Sequence, residues 1–397
     1  MHTKPIRAMA TDDDGAPNWS ELVPDILSLV FKHLSFTDFA RAKTVCSSWY
    51  SASKSSSPRQ NHTPWLLLYE DTHWLLFNSE EGKFYRTEYF GRFAKCRGVA
   101  TCGSWVLVFD KEVNFYIINP FTPKLIRLPP LESNRSAEFL QQRGQDVTVG
   151  TAVLWVDEKT EDYLVVWTYI WGSICYCRKR DQEWFEIPES SGCLDMAYKD
   201  KKLYIHTYDR SIRILDFSLG DLPGEIYNHP HAHRPSDPKI VLGIKRMKLT
   251  MSGDVLMVQR GIGIDDLRMR FQVYKMGSTR EYWDKVSSGK KKDVLWMAGC
   301  GNAAYWERVH SLENEEALLW DLSVTLPTKG VSGIKKDSIY YCHTSSSSSI
   351  RDVAAYEIAT HKISAYEIPK QTIEPSQHRG LLFGEARWFV PCFADGE

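Results

Sequence analysis

The sequence predicts an α+β multidomain protein, with a small all-α N-terminal module followed by a large all-β domain that closes as a β-propeller of about six blades. Three observations predict this. From Trp19 to Ala52 apolar residues recur at the three- and four-residue steps of amphipathic helices. After Trp65 the pattern changes to short apolar runs separated by Gly, Asn, Asp and Ser, and it holds to the C-terminus. The aromatic content, 14 Trp, 19 Tyr and 17 Phe, suits the pleated, half-buried surfaces of strands.

Residues 1–17 are polar, lack the apolar stretch of a secretory signal and are expected to be disordered. The module spans 18–55. Its first helix carries Leu22, Ile26, Leu27, Leu29, Val30, Phe31 and Leu34, with Pro24-Asp25 supplying a start that suits a first turn and the positive end of the helix dipole. Ser35 and Thr37 offer caps for a second helix carrying Phe39, Ala42, Val45, Cys46 and Trp49. Residues 56–64, Ser-rich and Pro-bounded, read as a linker. The first helix is apolar over a wider arc than a core of short helices can cover. Part of that surface therefore suits the following domain or a partner.

Leu22-Val23-Pro24-Asp25-Ile26-Leu27, then Val30-Phe31, Leu34 and Phe39, and finally Val45-Cys46-Ser47-Ser48-Trp49, resemble an F-box of three short helices. The family pattern opens with Leu-Pro-x-Asp/Glu and closes with Val-Cys-x-x-Trp. Val23 is a departure, because it separates Leu22 from Pro24 and weakens the correspondence at Leu22.

The β domain is expected over 65–394. Runs such as Trp65–Tyr69, Trp74–Phe77, Trp105–Phe109, Leu164–Tyr169, Val255–Val258, Ser338–Cys342 and Val353–Tyr356 are its strands. More than ten short strands need a closed or repeated architecture, since an open sheet would leave long edges. A degenerate hairpin ending in Leu-Pro or Ile-Pro recurs at Val113–Pro129, Ser173–Pro188 and Asp352–Pro369, and loosely at Phe271–Val286. Each is preceded by a second hairpin, such as Val99–Phe109 or Ile334–His343, which gives the four-strand arithmetic of propeller blades. Glu307–Lys329 reads as an insertion in the last unit, and Arg387–Pro391 is placed to pair with Trp65–Arg86 and close the ring. A pair of β-sandwiches is the other architecture that these strands allow. The hairpins resemble kelch-type propellers, and the whole chain is similar to plant F-box proteins with a C-terminal kelch-like domain.

Composition and motifs exclude more than they assign. Lys and Arg number 49 against 50 Asp and Glu, a net charge of −1, so nucleic acid and anionic membrane are not expected partners. No apolar run reaches the ~18 residues that span a bilayer. Nine scattered Cys without a CxxC, including Cys175 and Cys177 on one strand face, read as reduced thiols of an intracellular protein, cytoplasmic or nuclear. His229-Pro-His-Ala-His233 lacks a carboxylate or thiol at ligand spacing, so it reads as a loop, and no metal is assigned. Gly261-Ile-Gly263 reads as a turn. No catalytic constellation and no cofactor are assigned.

The resemblance implies the substrate-recognition subunit of an SCF-type ubiquitin ligase, a receptor without chemistry of its own. Its F-box would bind a Skp-family adaptor and through it cullin and RING subunits, and its propeller would hold a protein target. By resemblance the adaptor-binding residues are Leu22, Pro24, Ile26, Leu27, Val30, Phe31, Leu34, Val45, Cys46 and Trp49. Leu29, Phe39 and Ala42 are assigned mainly to the module's core, and Val45 and Trp49 to both roles. No substrate-binding residue can be named. The alternatives are a propeller interaction protein outside any ligase complex and a ligand-binding or redox propeller.

Overall fold

The computed structural model describes residues 18–56, 63–69, 74–86, 93, 96–110, 112, 114–131, 149–169, 173–187, 192–209, 211–218, 220, 223–229, 239–277, 294–295, 305–331, 333–344, 350–366 and 385–391. The expected disorder at 1–17, His231 and His233 of the His-rich stretch and most of the linker, 57–62, lie outside them. The chain divides into two compact units, one N-terminal and one spanning Thr63–Pro391.

The N-terminal unit holds three helices: α1 (Pro24–His33), α2 (Phe36–Ala42) and α3 (Ser47–Lys54). Pro24 stands where its missing N–H costs nothing, and Lys32 and His33 lie in the last turn, against the negative end of the dipole. The Ser35 hydroxyl accepts from the Asp38 amide and caps α2. The second helix expected from the sequence is split in two. Its break spans Lys43–Cys46, where Cys46 is extended at φ −163° and ψ 174°. The next stretch also differs from expectation, for Ser56 is buried and its hydroxyl lies 2.9 Å from that of Ser28 on α1. It belongs to the helical unit.

The second unit is a six-bladed propeller. Its first sheet contains β1 (Trp65–Tyr69), β2 (Trp74–Asn78) and β3 (Lys83–Arg86). The second is β4 (Arg97–Cys102), β5 (Trp105–Phe109), β6 (Phe115–Ile118) and β7 (Leu125–Arg127). The third is β8 (Val149–Val156), β9 (Tyr163–Tyr169), β10 (Ile174–Arg178) and β11 (Phe185–Glu186). The fourth is β12 (Cys193–Lys199), β13 (Lys202–Thr207), β14 (Ile212–Asp216) and β15 (Gly224–His229).

The fifth sheet is longer: β16 (Ile240–Leu249), β17 (Val255–Gly263), β18 (Met269–Gly277), β19 (Val294–Leu295) and β20 (Tyr305–Val309). The sixth holds β21 (Glu316–Leu319), β22 (Leu326–Pro327), β23 (Ser338–Thr344), β24 (Ile350–Glu357) and β25 (Ile363–Tyr366). Finally β26 (Glu385–Phe389) returns to pair antiparallel with β1, Trp65 opposite Phe389 and Leu66 opposite Trp388. The first sheet is thus built from both ends of the domain.

Two readings are corrected here. Glu307–Lys329 is no insertion, since it supplies the end of β20, all of β21 and β22, and a stretch joined to β16 by the Thr325 amide donating to the Leu249 carbonyl at 2.8 Å. Ile334–His343 is not a hairpin but a turn and one strand, β23, which runs parallel to β21. The sixth blade therefore departs from the simple meander, and a search for repeated hairpins misreads it.

Each sheet packs face to face on the next. Trp167 and Cys177 meet Leu107 and Phe115 between the third and second sheets, and Leu319 and Tyr340 meet Leu66 and Trp388 between the sixth and first. Central strands are consequently covered on both faces. Trp74–Asn78 and Trp105–Phe109 are buried at every position, which explains continuous apolar runs where a one-sided sheet would alternate. Cys175 and Cys177 face one core from β10, and burial pushes the Cys177 thiol up to about 12.

Closure yields a prediction. Trp388→Ala, at a side chain 1% exposed, should cost about 3–5 kcal/mol. Deleting 385–391 should abolish a cooperative thermal transition of the propeller in calorimetry, while an unchanged transition would refute closure through β26.

Candidate functional site: an exposed apolar helix face and a charged axial cavity

The module's core is Leu27, Phe31, Phe39, Ala42 and Ala52, with Leu22, Leu34 and Trp49 packed against it. Phe31 meets Phe39 edge-on at 5.3 Å and Trp49 at 5.7 Å between ring centroids. The Trp49 indole N–H donates to the Trp19 carbonyl at 3.0 Å, and the Ser48 hydroxyl donates to the Ser20 carbonyl at 2.8 Å, tying the Trp19–Glu21 turn to α3. The Lys43 ammonium sits 4.6 Å from the centre of the Phe39 ring, and burial lowers its pKa.

The structure sorts the ten residues assigned by resemblance. Leu27 and Phe31 are both 0% exposed. They are corrected from contact residues to internal supports, because at i and i+4 on α1 they point into the module together. Pro24, Ile26 (43% exposed) and Val45 (59%) are on the surface, and Leu22, Val30, Leu34, Cys46 and Trp49 are half-buried. Leu29 is corrected in the opposite direction, since it is 53% exposed, not core. Phe39 and Ala42 are buried where the sequence places them. Ile26, Leu29 and Val30 therefore form an apolar stripe on the outer side of α1. Exposed Trp19, Val23 and Tyr50 add apolar surface that the motif comparison did not single out. Only their exposure in the folded module reveals them.

The extra residue Val23 is absorbed at the helix start, where its carbonyl accepts from the Ile26 and Leu27 amides. Leu22 still reaches the core. The Ser48 hydroxyl, 3.0 Å from the Cys46 sulfur, holds that thiol below its ordinary pKa.

In the propeller, the axial strands surround a cavity of about 70 Å³, lined in part by Val99, Thr151, Asp195, Arg246, Lys248, Asp321 and Arg387. Asp195 accepts from the Met247 amide at 2.6 Å, from Arg246 at 3.2 Å and from the Thr151 hydroxyl at 3.3 Å. Its charge raises the Arg246 pKa. The Lys248 ammonium donates to the carbonyls of Trp320 and Leu322, both at 2.6 Å, and burial pushes its pKa down to about 8. Arg387 donates to the Gly98 carbonyl at 2.6 Å, and Thr101 donates to the Trp388 carbonyl at 2.9 Å. These bonds join neighbouring sheets around the axis. The chemistry they support is structural: paired charges that fix the sheets in a ring. Among the described residues no group of three or more His, Cys, Asp or Glu is arranged to hold a metal ion. No helix among them is long and apolar enough to cross a membrane.

With both sites in view, comparisons with known proteins become informative. Residues 19–61 match the F-box domain family, and residues 76–367 match the family described as KIB1-4 beta-propeller. The chain belongs to the F-box proteins with a KIB1-4 propeller. F-box protein At1g10110 of Arabidopsis thaliana is 64% identical, over 98% of this chain and 100% of that protein. From the same plant, putative F-box protein At4g22660 and F-box only protein 7 are 34% and 31% identical, each over 95% of this chain and over 98% and 95% of their own lengths. The propeller is thus of KIB1-4 type, which corrects the kelch-like reading. Both families build antiparallel blades, and the degenerate hairpins of this sequence carry too little to separate them. F-box domains generally bind Skp1-type adaptors, and F-box proteins are generally non-catalytic.

Two predictions follow from these geometries. In the F-box, Leu27→Ala or Phe31→Ala should destabilise the module by about 2–5 kcal/mol. Ile26→Asp with Leu29→Asp should leave its helix content unchanged by circular dichroism. In the channel, the Lys248 ammonium is charged in both folded and unfolded chains below pH 8, where its burial penalty is full. Between pH 8 and 10.5 the folded state loses the proton first, so the penalty is relieved. The stability of the wild type relative to Lys248→Met should rise across that window in urea titrations. Parallel pH curves would contradict a buried ammonium.

Proposed function

We propose that this protein is the substrate-recognition subunit of an SCF-type ubiquitin ligase. The F-box binds a Skp-family adaptor, which links it to cullin and RING subunits, and the KIB1-4 propeller binds a target protein for ubiquitination and degradation. The observation that carries this reading is the apolar stripe of exposed Ile26 and Leu29, with half-buried Val30 beside them, on an F-box whose own core is already closed by Leu27, Phe31 and Phe39. Burying such a stripe against a partner helix or groove is favourable at roughly 25 cal/mol per Å² of apolar surface, and central apolar anchors carry most interface energy.

The receptor acts by tethering. Holding a target near the conjugating enzyme raises its effective concentration without any bond made or broken by the receptor. The same reading puts the protein in the cytoplasm or nucleus, in keeping with the unlinked thiols of Cys96, Cys177 and Cys193.

The test is co-expression of the full chain with a Skp1-type adaptor and a cullin, followed by purification through the propeller end. Adaptor and cullin should both co-purify with the wild type. Ile26→Asp with Leu29→Asp should reduce both at least tenfold while the propeller's thermal transition is kept. Adaptor without cullin would favour a role outside a ligase complex, and undiminished recovery with the double variant would sink the assigned docking face.

A further inference from the structure

A cleft of about 830 Å³ opens between the fifth and sixth sheets, and Lys239, Arg268, Arg270, Arg308, His361 and Lys362 line it. Asp266 is the carboxylate in the lining, and it is paired with Arg270 at 3.0 Å. On a chain of net charge −1, the five Lys and Arg side chains on this one cleft are a local feature, not a consequence of composition, whereas His361, whose pKa burial and the neighbouring arginines lower, adds no charge.

The fifth sheet is built to make this cleft. Strands β16, β17 and β18, at ten, nine and nine residues, carry it outward to the tip at 264–268. The Gly261-Ile-Gly263 segment, expected as a turn, lies inside β17 and permits two close approaches. A Cβ on Gly261 would come within 2.3 Å of the Ile240 side chain and 2.8 Å of the Val241 carbonyl, and one on Gly263 within 2.6 Å of both Arg270 Nε and Asp266 Oδ1. Gly263 therefore leaves room for the ion pair at the cleft wall.

The tip itself runs against folding economy. Leu267 has φ +54°, a conformation that favours Gly or Asn, and its side chain is 80% exposed beside Ile264, which is 53% exposed. Neither the backbone nor burial explains a leucine there. A ligand with apolar groups beside negative charge does.

We propose that this cleft docks an Asp/Glu-rich segment of the target protein, with apolar side chains of that segment seated on Ile264 and Leu267. The inference deepens the receptor reading above and rests on it. The cations come from four separate stretches of chain (239, 268–270, 308 and 362), so they match a run of carboxylates better than one converging phosphate. The exposed apolar tip favours a protein segment over nucleic acid. The Tyr356 hydroxyl, 3.1 Å from the Phe271 carbonyl and 2.6 Å from His361 Nδ1, ties the two sheets together at the cleft and fixes its width.

The test uses the full chain co-expressed with its adaptor and a fluorescent 14-residue peptide alternating Asp/Glu pairs with Leu. The wild type should bind it, with affinity falling about tenfold between 50 and 500 mM salt. Arg268→Glu, Arg308→Glu and Lys362→Glu together should weaken binding at least tenfold. The same charge change at Lys83, Lys159 and Lys201, on other sheets, should not. Arg268→Gln with Lys362→Gln gives a milder variant, expected to lose about threefold, should the triple variant unfold. Leu267→Asn should lower affinity with thermal stability kept or raised. The proposal is overturned by no binding to the wild type, by equal loss in the control variant, or by tighter binding of a singly phosphorylated neutral peptide or an oligonucleotide. Adaptor co-purification is read in every sample, so loss of peptide binding with adaptor retained condemns the cleft alone, whereas failure to recover the adaptor condemns the receptor reading.

Discussion

Ring closure is the constraint on which the rest of this molecule depends. Every sheet presents two apolar faces, and neither end of a linear stack could cover its outer face. Pairing β26 with β1 removes both ends at once, because it completes the first sheet and seats Trp388 against Tyr340 and Leu66 at the seam with the sixth. The cost of joining residues so far apart in sequence grows only slowly with loop length, whereas the apolar faces covered at the seam are large.

Closure also determines what lies on the axis. Bringing the axial strands together would leave their polar groups without water, and the strands answer with one another: Asp195 with Arg246 and the Met247 amide, Lys248 with the carbonyls of Trp320 and Leu322, and Arg387 with that of Gly98. A buried ammonium satisfied only by carbonyls loses part of its basicity, as Lys248 does. The polar centre holds the ring in register.

The F-box follows a different logic on a smaller scale. Its few large side chains close a core around Phe31, and α1 is apolar on more of its circumference than that core consumes. The unused part is a stripe. Here resemblance and geometry diverge: motif positions include both the residues that build the module and those that face outward, and Leu27 and Leu29 exchange the roles expected of them. A helix repeat of 3.6 residues cannot say which side of a wide apolar arc meets the core; only the placement of α2 and α3 does.

Much of the fold was legible in the residues themselves. Runs such as Trp65–Tyr69 and Trp105–Phe109 declared strands because burial on both faces demands apolar side chains throughout, and the final run at Arg387–Pro391 declared closure. The axial strands β12 and β16 do not stand out as apolar runs, since their polar residues Asp195, Arg246 and Lys248 mask the signal that marks the others. The order of residues along the chain determined the helical module, the β domain and their succession, since these depend on local periodicity and turn chemistry. Tertiary structure alone decided the parallel placement of β21, the room that Gly261 leaves for Ile240, and the meeting of Arg268, Arg308 and Lys362 in one cleft. Each of those rests on contacts between residues distant in sequence, which no local pattern encodes.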